Sequence, residues 1–112
     1  MMTLDALRAF GANVDEGLNR CMNMEAFYLK LVNSLNGDTR VNELKASLDA
    51  GDLDKAFEHA HALKGVYGNL SLTPLYNPIQ EITELLRTRA AADYGPLMDR
   101  ILAEKARFDA LF

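Results

Sequence analysis

The helical character of the chain is clearest between residues 52 and 71, which read DLDKAFEHAHALKGVYGNLS. Asp52 is suited to the start of a helix, because its carboxylate accepts hydrogen bonds from the free N–H groups of a first turn. Apolar or small side chains then recur every three or four residues, at Leu53, Ala56, Ala60, Leu63, Tyr67 and Leu70. This spacing predicts a helix from about Leu53 to about Leu70 with one face in a hydrophobic core.

Apolar stripes of the same period occur on both sides of this segment. They predict helices over about 23–37, over 38–51 and from 93 onward, with a further helix between the long one and the last. Two short helices precede them, at 3–10 and from Asn13 to about Met22. No segment alternates apolar and polar residues for long enough to predict a strand. Because the connections are only a few residues long, successive helices are expected to be antiparallel neighbours.

These patterns predict an all-α fold, an antiparallel up-and-down four-helix bundle with short additional N-terminal helices. We expect a single domain over 1–112, with an N-terminal helical segment at 1–22 and the bundle at 23–112. The helix after residue 71 has two possible starts. It begins at Thr73 and bends at Pro78, where proline removes a hydrogen bond, or it begins at Asn77 after a turn.

Composition and charge exclude several functional classes. The chain is 49% apolar and 25% charged with a net charge of −4, values typical of a globular domain. No apolar run approaches the ~20 residues of a membrane span, and the 12 basic residues are scattered and form no nucleic-acid-binding stripe. The N-terminus lacks a secretion signal, and the single Cys21 has no partner for an internal disulfide. We therefore expect a cytoplasmic monomer that binds neither nucleic acid nor membrane.

His61 lies outside the apolar stripe of the long helix. At about 100° per residue its side chain is roughly 120° from the centre of the stripe, so it is expected to face solvent. Its surface neighbours include Phe57, Lys64, Gly65 and Gly68. Each glycine destabilises a helix interior by ~1 kcal/mol relative to alanine, which favours a functional reason such as close approach of another protein. Lys64, one turn on, places an ammonium where a phosphoryl group on His61 would lie.

Histidine phosphotransfer (HPt) domains have a signature that resembles His61-Ala62-Leu63-Lys64-Gly65, with Ala60 before it and Asn69-Leu70 after it. The segments Leu72-Thr73-Pro74-Leu75 and Glu84-Leu85-Leu86-Arg87 are also similar to that family. The resemblance implies that His61 is phosphorylated on a ring nitrogen, that Lys64 assists the transfer and that Gly65 makes room for the partner. The family often has glycine where this chain has Ser71.

The resemblance also implies that a polar side chain from the following helix orients the histidine. Gln80, Thr83 and Arg87 are the candidates here, and Thr83 is in the best register. Phe57 is either a core-edge residue or, together with Gly68, part of a partner-docking surface.

No metal site or cofactor is expected in this chain. His59 lies about 200° around the helix from His61, so the two rings do not share a metal ion. No other histidine or cysteine stands at ligand spacing.

The function expected from the residues and the resemblance is that of a phosphorelay intermediate. His61 would exchange a phosphoryl group with an aspartate of a response-regulator receiver domain, and a histidine kinase or hybrid kinase would act upstream. The chain has no glycine-rich nucleotide loop, so neither ATP binding nor autokinase activity is expected, and magnesium is expected only on the receiver. Two alternatives stay open: a helical protein-interaction module without transfer chemistry, and the phosphoacceptor domain of a chemotaxis-type kinase.

Overall fold

Seven helices and no strand make up the protein in the computed structural model, which describes all residues from Met1 to Phe112. The helices are α1 (Leu4–Phe10), α2 (Val14–Arg20), α3 (Glu25–Asn33), α4 (Arg40–Asp49), α5 (Leu53–Asn69), α6 (Thr73–Arg87) and α7 (Gly95–Asp109). The predicted all-α class is confirmed. None of the helices combines the length and the apolar content that a membrane span requires.

Helices α4 to α7 form the bundle. Each packs against the next along the chain, and α4 also contacts α7, so the four helices enclose a common core. Asp54 near the start of α5 pairs with Arg89 just beyond the end of α6, at 2.7 Å between Oδ1 and Nε. Near the other end of α5, the backbone of Gly68 lies against the ring of Tyr76 in the first turns of α6. These two contacts show that α5 and α6 are antiparallel.

Helices α1 to α3 cover the end of the bundle where α5 stops and α6 begins. The backbone N–H of Asn13 donates to the carbonyl oxygen of Ser71 at 2.9 Å. The buried hydroxyl of Tyr28 donates to the carbonyl oxygen of Leu70 at 2.8 Å. Burial raises the pKa of Tyr28 to about 12, so this hydroxyl keeps its proton and remains a donor at neutral pH. The N-terminal helices are therefore attached to the first two residues of the α5–α6 connection, Leu70 and Ser71.

Helix α6 begins at Thr73, the first of the two predicted starts. Leu72, and not Thr73, occupies the N-cap position, and Pro74 lies in the first turn, where its missing N–H has no helical partner to lose. Pro78 is buried inside the helix and cannot donate to the carbonyl four residues earlier. The alternative start at Asn77 is excluded.

Aspartates define the starts of α4 and α5. Asp52 Oδ1 accepts a hydrogen bond from the N–H of Lys55 at 3.1 Å, which confirms the predicted cap of α5. Helix α4 begins two residues after Asp38, at Arg40, and Asp38 binds both the N–H and the guanidinium of that arginine. The guanidinium holds the pKa of the Asp38 carboxyl below its usual range. The stabilisation from this pair is therefore present at neutral pH and is lost as the pH falls through the lowered pKa.

Gly17 of α2 packs against the ring of Tyr28 of α3, and its replacement by alanine tests this packing. A Cβ at Gly17 would lie 2.6 Å from Cε1 of Tyr28. Overpacking costs roughly 1–3 kcal/mol, against a gain in helix propensity of about 1 kcal/mol, so Gly17→Ala is expected to lower the free energy of unfolding. Urea denaturation measures this change.

Gly65→Ala is the matched control, because a Cβ there would meet no atom within 4 Å. It is expected to raise the free energy of unfolding by up to about 1 kcal/mol through helix propensity alone. Equal stabilisation by both substitutions would contradict the close packing of Tyr28 against α2.

Candidate functional site

Helix α5 carries His61 at its centre, as the ninth of its 17 residues. The imidazole is exposed, whereas Ala60 and Leu63 beside it are fully buried. The solvent-facing position predicted from the apolar stripe is confirmed. Ser71, just beyond the helix, has a φ of +55°, and this left-handed conformation turns the chain towards α6.

Phe57 stacks on the imidazole from one turn earlier in α5. The ring centroids of Phe57 and His61 lie 5.6 Å apart, with an angle of 25° between the planes. Phe57 is only partly exposed and packs against the hydrophobic core, so it is a core-edge residue that also supports the histidine. The guanidinium carbons of Arg87 and Arg89 lie 5.3 and 4.8 Å from the Phe57 centroid, within cation–π distance. Phe57 is thus held from the core and from the α6 side.

Lys64 forms an ion pair with Glu84 on α6, a partner that the sequence patterns did not indicate. Lys64 Nζ lies 3.3 Å from Oε1 of Glu84, and Nε of Arg87 lies 3.2 Å from Oε2 of the same carboxylate. The hydrogen bonds from Arg87 and then from Lys64 hold the pKa of Glu84 below its usual range. Because half of the Glu84 side chain is accessible to water, the pair is weak, and Lys64 can leave it for a nearby anion.

The two glycines of the motif have different surroundings. A Cβ at Gly65 would meet no atom within 4 Å, so the backbone beside His61 is bare and open to solvent. A Cβ at Gly68 would lie 3.0 Å from Cε1 of Tyr76, so glycine at this position lets the tyrosine ring pack on α5. Gly68 therefore has a packing reason within the chain, in addition to its position at the edge of the site.

None of the three residues predicted to orient the histidine forms a hydrogen bond with it in the structure. Thr83 is fully buried, and its hydroxyl donates to the carbonyl oxygen of Ile79 at 2.6 Å, so it lies in the core. Arg87 is engaged with Glu84 and Phe57, and Gln80 is exposed on α6. The contact that the structure does give the imidazole is the stack on Phe57.

A cleft of about 450 Å³ opens beside His61. Lys64 and Gly65 line it from α5, and Glu16 and Arg20 line it from α2. The wall formed by α2 was not predicted, because local periodicity does not reveal which distant helix packs beside a site. The only trace of it in the sequence is the spacing of Glu16 and Arg20, which places opposite charges one turn apart.

Comparison with known families gives one match. The family model described as "Hpt domain" matches residues 36–111, which is more than half of the chain. The matched range includes α4 to α7 and with them His61, Lys64 and Gly65, whereas α1 to α3 lie outside it. The comparisons with curated proteins and with solved structures give no match.

The pKa of Glu84 is a measure of the strength of its ion pair with Lys64. The carboxyl is expected to titrate below the usual pH of a glutamate. Removing either cation should raise its pKa, and Arg87→Met should raise it more than Lys64→Met, because the hydrogen bond from Arg87 has the larger effect. Carbon-13 NMR of the side-chain carboxyl as a function of pH measures the three values. A pKa that does not change in Lys64→Met would show that Lys64 is already free in solution.

Proposed function

Because the chain belongs to the Hpt domain family, whose role is phosphotransfer in two-component signalling, we propose that it is a phosphorelay intermediate. It accepts a phosphoryl group on His61 and exchanges it with an aspartate of a response-regulator receiver domain. The observation that carries this proposal is the position of His61. Its imidazole is exposed at the centre of α5, with a cation and bare backbone on the same side.

The transfer requires a lone pair on the imidazole and nothing else from the ring. The outer nitrogen, Nε2, attacks phosphorus of the aspartyl phosphate while its neutral ring carries a proton on Nδ1. The P–O bond to the aspartate breaks, its electron pair stays with the departing carboxylate, and a P–N bond forms. The reverse sequence of the same bond changes returns the phosphoryl group to an aspartate, so a single histidine serves both halves of the relay.

Lys64 stabilises the charge of the transferred group. Its ammonium lies one turn from His61 and is held by Glu84 when no phosphoryl group is present. On transfer it exchanges this exposed carboxylate for phosphoryl oxygens, which together carry more negative charge than a carboxylate. Glu84 retains Arg87 as a partner, so the exchange leaves no carboxylate unpaired.

Gly65 provides clearance for the receiver. The aspartate of the partner must come within bonding distance of Nε2, which brings the receiver surface down onto α5. A side chain at Gly65 would stand in this path, whereas the present backbone leaves it open. Phe57 supports the ring from the other side, and the partly exposed Gly68 is part of the surface on which the receiver docks.

The remaining components of the relay are assigned to partner proteins. A histidine kinase or hybrid kinase supplies the phosphoryl group, since the chain has no nucleotide-binding loop of its own. Magnesium is bound by the receiver, because no carboxylate cluster adjoins His61. We place the protein in the cytoplasm as a monomer, where its single buried thiol, Cys21, remains reduced.

The two histidines of α5 give the direct test of the phosphoacceptor. His61→Gln should abolish the retention of labelled phosphate after incubation with a phosphorylated receiver domain, because the attacking nitrogen is missing. His59→Gln should leave phosphate retention nearly intact, because the ring of His59 lies on another side of the helix and is only partly exposed. Equal losses at unchanged helicity would refute the assignment to His61, and retention in His61→Gln would favour an interaction module without transfer chemistry.

Gly65→Gln tests the clearance. The added side chain should slow phosphoryl transfer by tenfold or more, on the order of the loss expected when a reacting group is misplaced by about 1 Å. The measurement is the single-turnover rate from a phosphorylated receiver at matched helicity. Ala46→Gln is the control, since it adds the same side chain to an exposed position on α4. Wild-type rates in both variants would show that the receiver does not approach over Gly65.

A further inference from the structure

The cleft beside His61 has a wall that lies outside the residues matched by the family model. Helix α2 contributes Glu16 and Arg20 to this wall, opposite Lys64 and His61 of α5. The two cations of the cleft thus come from different helices. Because the matched range begins at residue 36, the presence of Arg20 in the site is a property of this chain that the family match does not describe.

Ser71 fixes α2 to the end of α5. Its backbone is in the left-handed region, which glycine adopts without steric cost and serine does not. The serine is nevertheless 5% exposed and bound on two sides: its carbonyl oxygen accepts from Asn13, and its hydroxyl donates to Oε1 of Glu16 at 3.0 Å. Glycine would form the first bond but not the second. The hydrogen bond from the serine hydroxyl therefore explains serine at position 71, because this bond holds α2 against the end of α5.

Glu16 in turn holds Arg20. Its Oε1 accepts from the Arg20 guanidinium at 3.2 Å as well as from Ser71, and its Oε2 accepts from the side-chain amide of Asn13 at 3.3 Å. The carboxylate is thus occupied by three donors from within the chain. Arg20 uses one of its N–H groups in this bond, and its half-exposed guanidinium has further donors available to the cleft.

The residues that line the cleft carry more positive than negative charge. Arg20 and Lys64 are its two cations and Glu16 is its one carboxylate; each cation already has a carboxylate partner, Glu16 or Glu84, and keeps further donors. A receiver that delivers its phosphoryl group to His61 brings an aspartate and the carboxylates that bind its magnesium. An acidic surface of this kind complements a cleft with two cations.

We propose that Arg20 is a specificity-determining residue, whose guanidinium binds a carboxylate at the edge of the receiver's phosphoacceptor site. The inference rests on the proposed function, and it assigns to α2 the selection among receivers. Lys64 binds the phosphoryl group, which is the same for every phosphorylated receiver. Arg20 contacts the receiver surface, which differs between receivers, and its planar guanidinium favours a carboxylate placed to accept two parallel hydrogen bonds.

The test compares Arg20→Ala with Arg8→Ala in the full chain, using two receiver domains phosphorylated with acetyl phosphate: one that has a carboxylate at the edge of its phosphoacceptor site, and the same domain with that carboxylate changed to an amide. The two arginines are matched: both lie in the N-terminal helices, with side chains 51% and 49% exposed, and Arg8 does not line the cleft. With the carboxylate-bearing receiver, Arg20→Ala should raise the receiver concentration for half-maximal transfer by about tenfold, as expected when one charge-assisted contact is lost. With the amide receiver it should change little, and an equal rise with both receivers would overturn the inference. The rate at saturating receiver should be unchanged. Arg8→Ala should match the wild type in both.

Two further measurements separate a contact with the receiver from an effect on the fold. Arg20→Lys keeps the charge but not the planar geometry. Its receiver concentration for half-maximal transfer should therefore lie between those of the wild type and Arg20→Ala. The dependence of transfer on salt should be weaker in Arg20→Ala than in the wild type, since one interfacial charge is gone. Circular dichroism before and after heating verifies that both alanine variants fold.

The outcomes distinguish this inference from the proposed function. If Arg20→Ala and Arg8→Ala have the same half-maximal concentration, or if only the saturating rate falls, Arg20 does not select the receiver and the inference is overturned. If the wild type accepts phosphate from no receiver, the proposed function itself is refuted.

Discussion

The arrangement of the site depends on α5 packing against α4 and α6 at the same time, because these contacts determine which side of the helix remains for His61. The small side chains of Ala56 and Ala60 are fully buried, and side chains of this size allow neighbouring helices to approach closely. With the rest of its circumference in contact, α5 leaves one strip of surface. His61 and Gly65 occupy that strip, so the same packing that stabilises the bundle also exposes the imidazole that we propose as the phosphoacceptor.

A set of paired charges lies along the junction of α5 and α6. Lys64 and Arg87 share Glu84, and Arg89 pairs with Asp54 while its guanidinium lies over Phe57. Three cations and two carboxylates therefore lie near Phe57 and His61, an excess of one positive charge in a chain whose net charge is −4. Local positive charge of this kind lowers the cost of bringing a doubly charged phosphoryl group to an acidic protein. Because the pairs are exposed, salt screens them, and the site adjusts without disturbing the core.

Periodicity and caps were sufficient to predict the elements that matter most. The apolar stripe and Asp52 predicted α5 to within one residue at either end, and they placed His61 on its exposed side. Pattern alone could not choose between the two starts of α6, since proline is tolerated in a first turn and Pro78 is accommodated further in. The structure decided for Thr73.

Contacts between distant segments could not be predicted in this way. The periodicity of the sequence indicates neither the pairing of Lys64 with Glu84 nor the packing of Tyr76 against Gly68. Each of these contacts depends on how two helices pack side by side. Thr83 is a predicted contact that does not form. Its position along α6 is favourable, but the helix is rotated so that its side chain lies in the core. The wall from α2 required both the Ser71 turn and its hydrogen bonds to be known.

The central position of His61 in α5 has a consequence for how the protein exchanges with solvent. Helices fray from their ends, and openings of this kind involve the first and last turns, whereas His61 has eight helical residues on each side. The amide hydrogens around it are therefore expected to exchange more slowly than those of the first and last turns. The exposed imidazole is thus attached to backbone that is far from either fraying end of the helix. In the proposed docking of a receiver on His61, this part of the backbone would need little further ordering, which lowers the entropic cost of association.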